Sequence, residues 1–148
     1  MFLLDTNVVS ELRKVRAGKA DPHVAAWADG VDAEGLYVSA ITILELELGV
    51  LQRERRDPMQ GAMFRAWMDD HVLPEFAGRV LPVDLAVAQR CARLHVPDRR
   101  AERDALIAAT ALVHGMTVVT RNLAGFAATG APLLDPWDSS RDRRPLSG

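Results

Sequence analysis

Three carboxylates in this 148-residue chain sit where apolar sequence makes room for a polar group. Asp5 ends the run Met1-Phe2-Leu3-Leu4, Glu45 lies within Ile43-Leu44-Glu45-Leu46, and Asp104 heads an Ala-rich apolar stretch. Burying a carboxylate is costly unless it is paired or binds a cation, so three such placements point to a shared cause. A cluster of carboxylates without His or Cys ligands selects a hard cation, Mg²⁺ or Mn²⁺, which keeps waters and completes its shell with substrate phosphates. An ion held in that way activates a water and stabilises charge on phosphoryl and leaving oxygens, which is the chemistry of phosphodiester hydrolysis. Each acid also has a purely local reading. Asp5 and Asp104 could cap the helices that follow them, and Glu45 follows Thr42 at the capping-box spacing. Singly, the local readings are at least as good. Jointly, with Thr6, Asn7, Thr120 and Asn122 also at strand ends, the shared site is the stronger reading.

The elements that must position these groups follow from the pattern of apolar residues. Met1–Leu4 is too short for a helix and reads as a buried strand. Its polar end, Asp5-Thr6-Asn7, falls where open α/β sheets place ligands. Val8–Leu12 reads as a short helix, Arg13–Ala20 as a loop, and Asp21-Pro22 as a helix start that Gly30 terminates. Leu36-Tyr37-Val38 is a second strand. Ile41 to about Glu54 is helical, with Ile41, Leu44, Leu48 and Leu51 at helical spacing. Asp57-Pro58 starts another helix. Arg79–Val83 is a third strand, and Asp84 caps the helix Leu85–His95. Asp104 opens the helix Ala105–His114, whose nearly all-round apolar character predicts burial against a sheet, with Gly115 closing it. Thr117–Thr120 is a fourth strand, Leu123–Ala127 a turn or short helix, and Pro132-Leu133-Leu134 a last strand-like piece. Strands alternating with helices predict an α/β fold with a mainly parallel sheet. No internal repeat or linker divides the chain. Residues 1–138 are expected to form one domain, with 139–148 a polar, disordered tail.

Composition bounds the answer further. With 49% hydrophobic and 26% charged residues, the chain suits one domain with a real core. No run reaches a membrane span of about 18 residues and no signal peptide is visible, so a cytoplasmic protein is the plain reading. The single cysteine, Cys91, excludes an internal disulfide framework and a Cys-based zinc site. The formal charge of −2 does not advertise a nucleic-acid binder. Its distribution is more telling: Arg13, Lys14, Arg16 and Lys19 form one basic cluster. Arg53, Arg55 and Arg56 form a second, Arg99, Arg100 and Arg103 a third, and Arg141, Arg143 and Arg144 a fourth. Such patches read either as solvated helix ends or as phosphate contacts beside an acidic site.

These motifs, in order, resemble the PIN-domain ribonuclease toxins of the VapC/FitB type, found in bacterial toxin–antitoxin pairs. The matching pieces are Leu3-Leu4-Asp5-Thr6-Asn7, Val38-Ser39-Ala40-Ile41-Thr42 with Glu45-Leu46 and Gly49, and Asp104–Ala111. Gly115–Asn122 and Pro136-Trp137 complete the set. The resemblance covers nearly the whole chain. It implies a three-layer α/β/α sandwich around four to five strands, with Asp5, Glu45 and Asp104 as catalytic, metal-binding acids for Mg²⁺ or Mn²⁺. Thr6, Asn7, Thr120 and Asn122 would line the same pocket, and Arg13, Lys14 and Arg121 would contact RNA phosphates. An endoribonuclease, a homodimer and a VapB-like antitoxin partner are implied with them. One departure stands out. Many relatives carry a fourth acid either at the position of Asn122 or three residues on, where this chain has Gly125.

Other features have two readings. The stripe Met59, Met63, Phe64, Trp67 and Met68 reads first as half-buried core and second as a Met-rich groove for a partner helix. His23, His71, His95 and His114 lack ligand-like spacing and read as surface or helix-end residues. Three other functions are weaker. A degenerate PIN domain that binds without cutting is motivated by the missing acid. An aspartyl-phosphate phosphatase would want a second Asp at position 7, which is Asn. A dinucleotide-binding enzyme lacks any G-x-G-x-x-G.

Overall fold

A computed structural model describes residues 1–139. The expected tail, with Arg141, Arg143 and Arg144, therefore lies almost wholly outside the described residues. Five parallel strands form the centre: β1 (Phe2–Leu4), β2 (Leu36–Ser39), β3 (Val80–Leu81), β4 (Thr117–Val119) and β5 (Leu133–Leu134), in the order β3-β2-β1-β4-β5. The helices are α1 (Thr6–Leu12), α2 (Pro22–Asp29), α3 (Ala40–Arg56), α4 (Pro58–Trp67), α5 (Leu73–Glu75), α6 (Leu85–Leu94), α7 (Glu102–His114) and α8 (Leu123–Phe126). Because all strands run the same way, Asp5, Ser39 and Thr120 arrive at one edge of the sheet. The chain leaves β1 toward β2 on one side and returns to β4 on the other. The crevice at that reversal is where doubly wound sheets bind ligands.

Alternation along the strands builds the layers. Leu4, Val38 and Val119 face a core with Val8, Val9, Leu46, Val50 and Met68 from α1, α3 and the turn after α4. Leu3 and Val118 point the opposite way, onto Ile107, Ala108 and Ala111 of α7 and onto Phe126. Neighbouring residues pointing to opposite faces is the strand period of two, and it is what makes three layers from so short a sheet. Small residues on α7 allow α6 to pack close: Ala105 and Ala109 meet Val87 and Cys91. At the outer layer, Gly61 of α4 lies so close to α3 that a Cβ there would stand 2.3 Å from the Glu54 Cα. Arg65 then ties the two helices through Glu47 at 2.8 Å and Glu54 at 3.0 Å.

Several expectations change. The third strand shrinks from Arg79–Val83 to two residues, Val80–Leu81: Pro82 after it has no N–H to extend the ladder, while the Arg79 carbonyl still accepts the Val38 N–H at 3.1 Å. The helix expected after Asp57-Pro58 forms as α4 and runs on through a π-helical turn, Met68–Val72, into α5. The helix expected from the spacing of Ile41, Leu44, Leu48 and Leu51 forms, with Ile41 packed on the core, Leu44 and Leu51 about half exposed, and Leu46 and Val50 on the buried side. The Met stripe also splits. Met68 is buried and Phe64 and Trp67 are half-buried, but Met59 and Met63 are 82% and 69% exposed. A core reading therefore holds for the C-terminal half of that stripe and fails for its two N-terminal methionines. Among the described residues no helix is long and apolar enough to cross a membrane.

Candidate metal and nuclease site

Asp5 occupies the N-cap of α1 and is 6% exposed. Its Oδ1 accepts the Thr6 backbone N–H at 2.8 Å, which is the capping bond. Its Oδ2 does something a cap does not need: it accepts the Thr120 hydroxyl at 2.8 Å and the Asn7 amide at 3.3 Å. Thr120 is fully buried at the end of β4, and its Oγ1 also accepts the Asn122 N–H at 2.9 Å. Asp5 thus caps α1 with one oxygen and turns the other to Thr120 and Asn7.

Glu45 is held differently. Ser39 caps α3 by accepting the Ile41 N–H at 3.0 Å, so Thr42 is not the N-cap and no capping box forms. Thr42 is instead buried within the first turn, and its hydroxyl has no partner among the described residues. Glu45 is free for another task and meets the Thr6 hydroxyl, which donates to its Oε1 at 2.9 Å. Its Oε2 lies 3.7 Å from the Arg103 guanidinium. Asp104 likewise loses its capping role, because α7 begins two residues earlier behind Ala101. Its Oδ2 is 3.5 Å from the Asn122 side-chain amide.

The electrostatics bind the three acids into one site. Burial raises the Asp5 carboxyl above its ordinary range; the Thr120 and Thr6 hydrogen bonds pull it back, and the Glu45 charge pushes it up again. Asp104 is also raised, by burial first and then by the charges of Asp5 and Glu45. Among the described residues neither aspartate has a cationic partner within ion-pair distance. A divalent cation would relieve that repulsion, so the donor set suits Mg²⁺ or Mn²⁺. Among the described residues no three His, Cys, Asp or Glu side chains stand together as a group that could hold a metal ion by itself, so an ion at these acids would have to complete its shell with water and substrate phosphate.

From Thr6, Asn7 and Glu45 a cleft of about 380 Å³ runs past α1 to Phe64, Trp67 and Trp137. Arg13, Lys14, Arg53 and Arg121 line it. Lys14 is paired with Glu11 at 3.0 Å, while Arg121 lies over the Trp137 ring at 5.2 Å. The third basic cluster divides: Arg100 serves structure by donating to carbonyls of Leu94, Ala127 and Ala128, and Arg99 pairs with Glu102. Only Arg103 of that cluster faces the acids.

A PIN-domain model matches residues 2–131. The chain belongs to the PIN-domain family. Within that family its relatives are of the VapC/FitB type. It is 39% identical to the VapC ribonuclease Y4jK of Sinorhizobium fredii, over 93% of this chain and 99% of that protein. It is 37% identical to toxin FitB of Neisseria gonorrhoeae, with the same coverage. The crystal structure of FitAcB from Neisseria gonorrhoeae superposes with a TM-score of 0.83 at 37% identity, covering 93% of this chain and 99% of that one. The five-stranded parallel sheet with helices on both faces is the fold of that structure.

In this PIN domain the two positions at which the resemblance leads one to expect a fourth acid, Asn122 and Gly125, pack against each other. Asn122 turns its Oδ1 back to accept the Gly125 N–H at 3.2 Å and caps α8. A Cβ at Gly125 would stand 2.2 Å from the Asn122 Nδ2 and 2.9 Å from the Asp104 Oδ2. The amide thus stands beside Asp104 where a fourth carboxylate would add charge. Sequence reasoning named Asn122 but not this packing. It also missed Arg103 as the counter-charge of Glu45. The signal was one residue away, since Arg103 precedes Asp104 at the start of the same helix. The four histidines stay apart from the acids: His71 and His114 are exposed, His23 lies in the first turn of α2, and His95 ends α6.

Proposed function

We propose that this PIN domain is a metal-dependent endoribonuclease acting as the toxin of a toxin–antitoxin pair. The observation that carries the reading is the gathering of Asp5, Glu45 and Asp104 at the sheet's reversal point, joined through Thr6, Thr120 and Asn122, with no cation in ion-pair distance of either aspartate among the described residues. Relatives named as VapC ribonuclease and toxin FitB support it. Asp5, Glu45 and Asp104 would hold Mg²⁺ or Mn²⁺, which when bound supplies a water activated for attack and stabilises charge on the phosphoryl oxygens. The chain's own residues prepare that site. Thr120 and Asn7 fix the Oδ2 of Asp5, and the Thr6 hydroxyl orients Glu45. Arg103 limits the repulsion that Glu45 adds. The cations of the cleft would bind the phosphates on either side of the cut, in the way phosphate contacts position a strand.

The partner reading draws on solved relatives described as complexes: FitAB bound to a DNA fragment and a toxin–antitoxin complex from Klebsiella pneumoniae. A VapB-like antitoxin and a homodimer of this chain belong to the proposal. A groove of about 580 Å³ between α1, α2 and the turn after α4, lined by Val9, Leu12, Ala28, Trp67 and Phe76, is the surface of this chain that suits an apolar partner segment.

The test is RNA cleavage by wild type and Asp5→Asn with Mg²⁺ or Mn²⁺, with and without chelator. Wild type should cut only with metal, and the variant should be inert. Equal, chelator-insensitive activity in both would sink the assignment. Asn122 motivates one other reading, a PIN domain that binds RNA without efficient cleavage. Single-turnover assays with excess protein separate the two, since a binding module shifts RNA in a gel and leaves it intact.

A further inference from the structure

Arg103 stands where helix electrostatics would not place it. It is the second residue of α7, between Glu102 and Asp104. A helix N-terminus favours acids and disfavours cations, and both neighbours of Arg103 follow that rule. Neither neighbour holds its guanidinium. Glu102 pairs with Arg99, and Asp104 is in no ion pair among the described residues. The side chain reaches across to α3 instead, where its Nη1 lies 3.7 Å from the Glu45 Oε2. Among the described residues it is the one cation within ion-pair distance of the three acids.

The two oxygens of Glu45 are held unequally. Oε1 accepts the Thr6 hydroxyl at 2.9 Å, a full hydrogen bond from the first turn of α1. Oε2 has the Arg103 contact, which is longer than a hydrogen bond and joins a half-exposed guanidinium to a partly exposed carboxylate. A pair of that kind contributes little in water. Glu45 therefore gives up Arg103 far more easily than Thr6. A cation that takes a Glu45 oxygen must also contend with the guanidinium charge, since like charges at short range repel. We propose that Arg103 is an internal competitor for the divalent cation, which holds Glu45 until an ion displaces it and so keeps the intrinsic metal affinity of the three acids low. This rests on the metal reading of those acids. In this role Arg103 touches no reacting group and acts through Glu45. It checks the repulsion among the acids when no ion is bound, and it leaves an ion weakly held by the chain alone.

The measurement is titration of the full chain with Mn²⁺ in the absence of RNA, the free ion being read from its EPR signal. R103Q should bind Mn²⁺ about five- to tenfold more tightly than wild type, through loss of a half-exposed pair and of a neighbouring like charge. R103K keeps the charge and should stay within about twofold of wild type. On an E45Q background, R103Q should gain no more than about twofold, because the contact it removes is already gone. Damage to the fold would weaken binding, so misfolding does not imitate the expected gain. Thermal melts carry the same sign: one fixed Mn²⁺ concentration should raise the Tm of R103Q more than that of wild type. Mn²⁺ held by R103Q no more tightly than by wild type overturns the proposal. So does R103K binding as tightly as R103Q, or an undiminished gain on the E45Q background. In each of those cases loss of binding in Asp5→Asn leaves the metal reading standing. Should wild type and R103Q alike leave the free-ion signal unchanged, the metal reading itself fails, and the role of Arg103 falls with it.

Discussion

Thr120 offers the sharpest test of how the site is held, because its hydroxyl and methyl can be removed separately. The residue is fully buried, and its Oγ1 donates to Asp5 at 2.8 Å while accepting from Asn122 and, more weakly, from Asn7 at 3.5 Å. Thr120→Val keeps the shape and deletes the hydroxyl. A hydrogen bond to a buried charge contributes about 1.5–3 kcal/mol, and the Asn122 N–H, on an exposed residue, finds water instead. The expected loss at neutral pH is therefore about 2–3 kcal/mol, or about 4–12 °C in Tm for a chain of this size. Thr120→Ser keeps the bond and deletes one methyl, at about 1 kcal/mol. The pH dependence separates cause from packing. The hydroxyl lowers the Asp5 carboxyl against the rise that burial imposes, so valine leaves that carboxyl higher than in wild type. Folded wild type then holds fewer protons than the folded variant across the interval between the two values. The cost of Thr120→Val is fully present above that interval and fades as pH falls through it, whereas the serine cost is flat. Urea melts of both variants, at neutral pH and in the carboxylate range, read this directly. Equal losses for valine and serine at neutral pH, or a valine loss independent of pH, would refute the role assigned to the hydroxyl.

Three further outcomes follow from the geometry. Gly61→Ala should destabilise by the upper part of about 1–3 kcal/mol, because the new methyl meets Glu54 backbone rather than a movable side chain; a thermal melt equal to wild type would show that α3 and α4 can part. Met59→Gln and Met63→Gln should change folding stability by no more than about 0.5 kcal/mol, given their exposure, and a loss like that of a core methionine in chemical denaturation would restore the core reading. For Asp104 the folded carboxyl is raised, by burial first and then by its acidic neighbours, so the folded state keeps its proton longer and stability falls as pH rises through that range. In chelator at neutral pH Asp104→Asn should therefore melt above wild type, while Mn²⁺ should raise the wild-type Tm and raise the variant less; identical metal responses would remove Asp104 from the ligand set.

What could be read from the sequence, and what could not, divides along physical lines. Asp5, Thr120 and the five strands were legible because a parallel sheet needs short apolar runs, and a polar residue that abruptly ends such a run falls at the sheet's ligand-binding edge. Glu45 and Asp104 were legible as anomalies but ambiguous as roles, since capping uses the same residue types at the same ends of helices. The ambiguity was resolved by two residues of boundary: Ser39 takes the α3 cap and α7 starts at Glu102. The side of α3 that faces the core could not be chosen from the spacing, because Leu44, Leu48 and Leu51, all exposed, carry the same period as a buried stripe. Periodicity fixes which residues share a face and is silent on what covers that face.

The same limit accounts for why the placing of Arg13 and Arg53 over the one Phe64 ring was not legible, although Arg13 and Arg121 were named from the resemblance. Arg13 lies just past a seven-residue helix, Arg53 near the end of a seventeen-residue one, and Phe64 in a third. Their distances along the chain carry no mark of convergence. They meet because α1 and α3 each begin at the acid edge of adjacent parallel strands and run outward together, so residues at similar distances from Asp5 and Glu45 come side by side. A parallel sheet therefore sets the direction of whatever lies beyond the acids as well as gathering them. In this chain that direction is lined by arginines seated on rings.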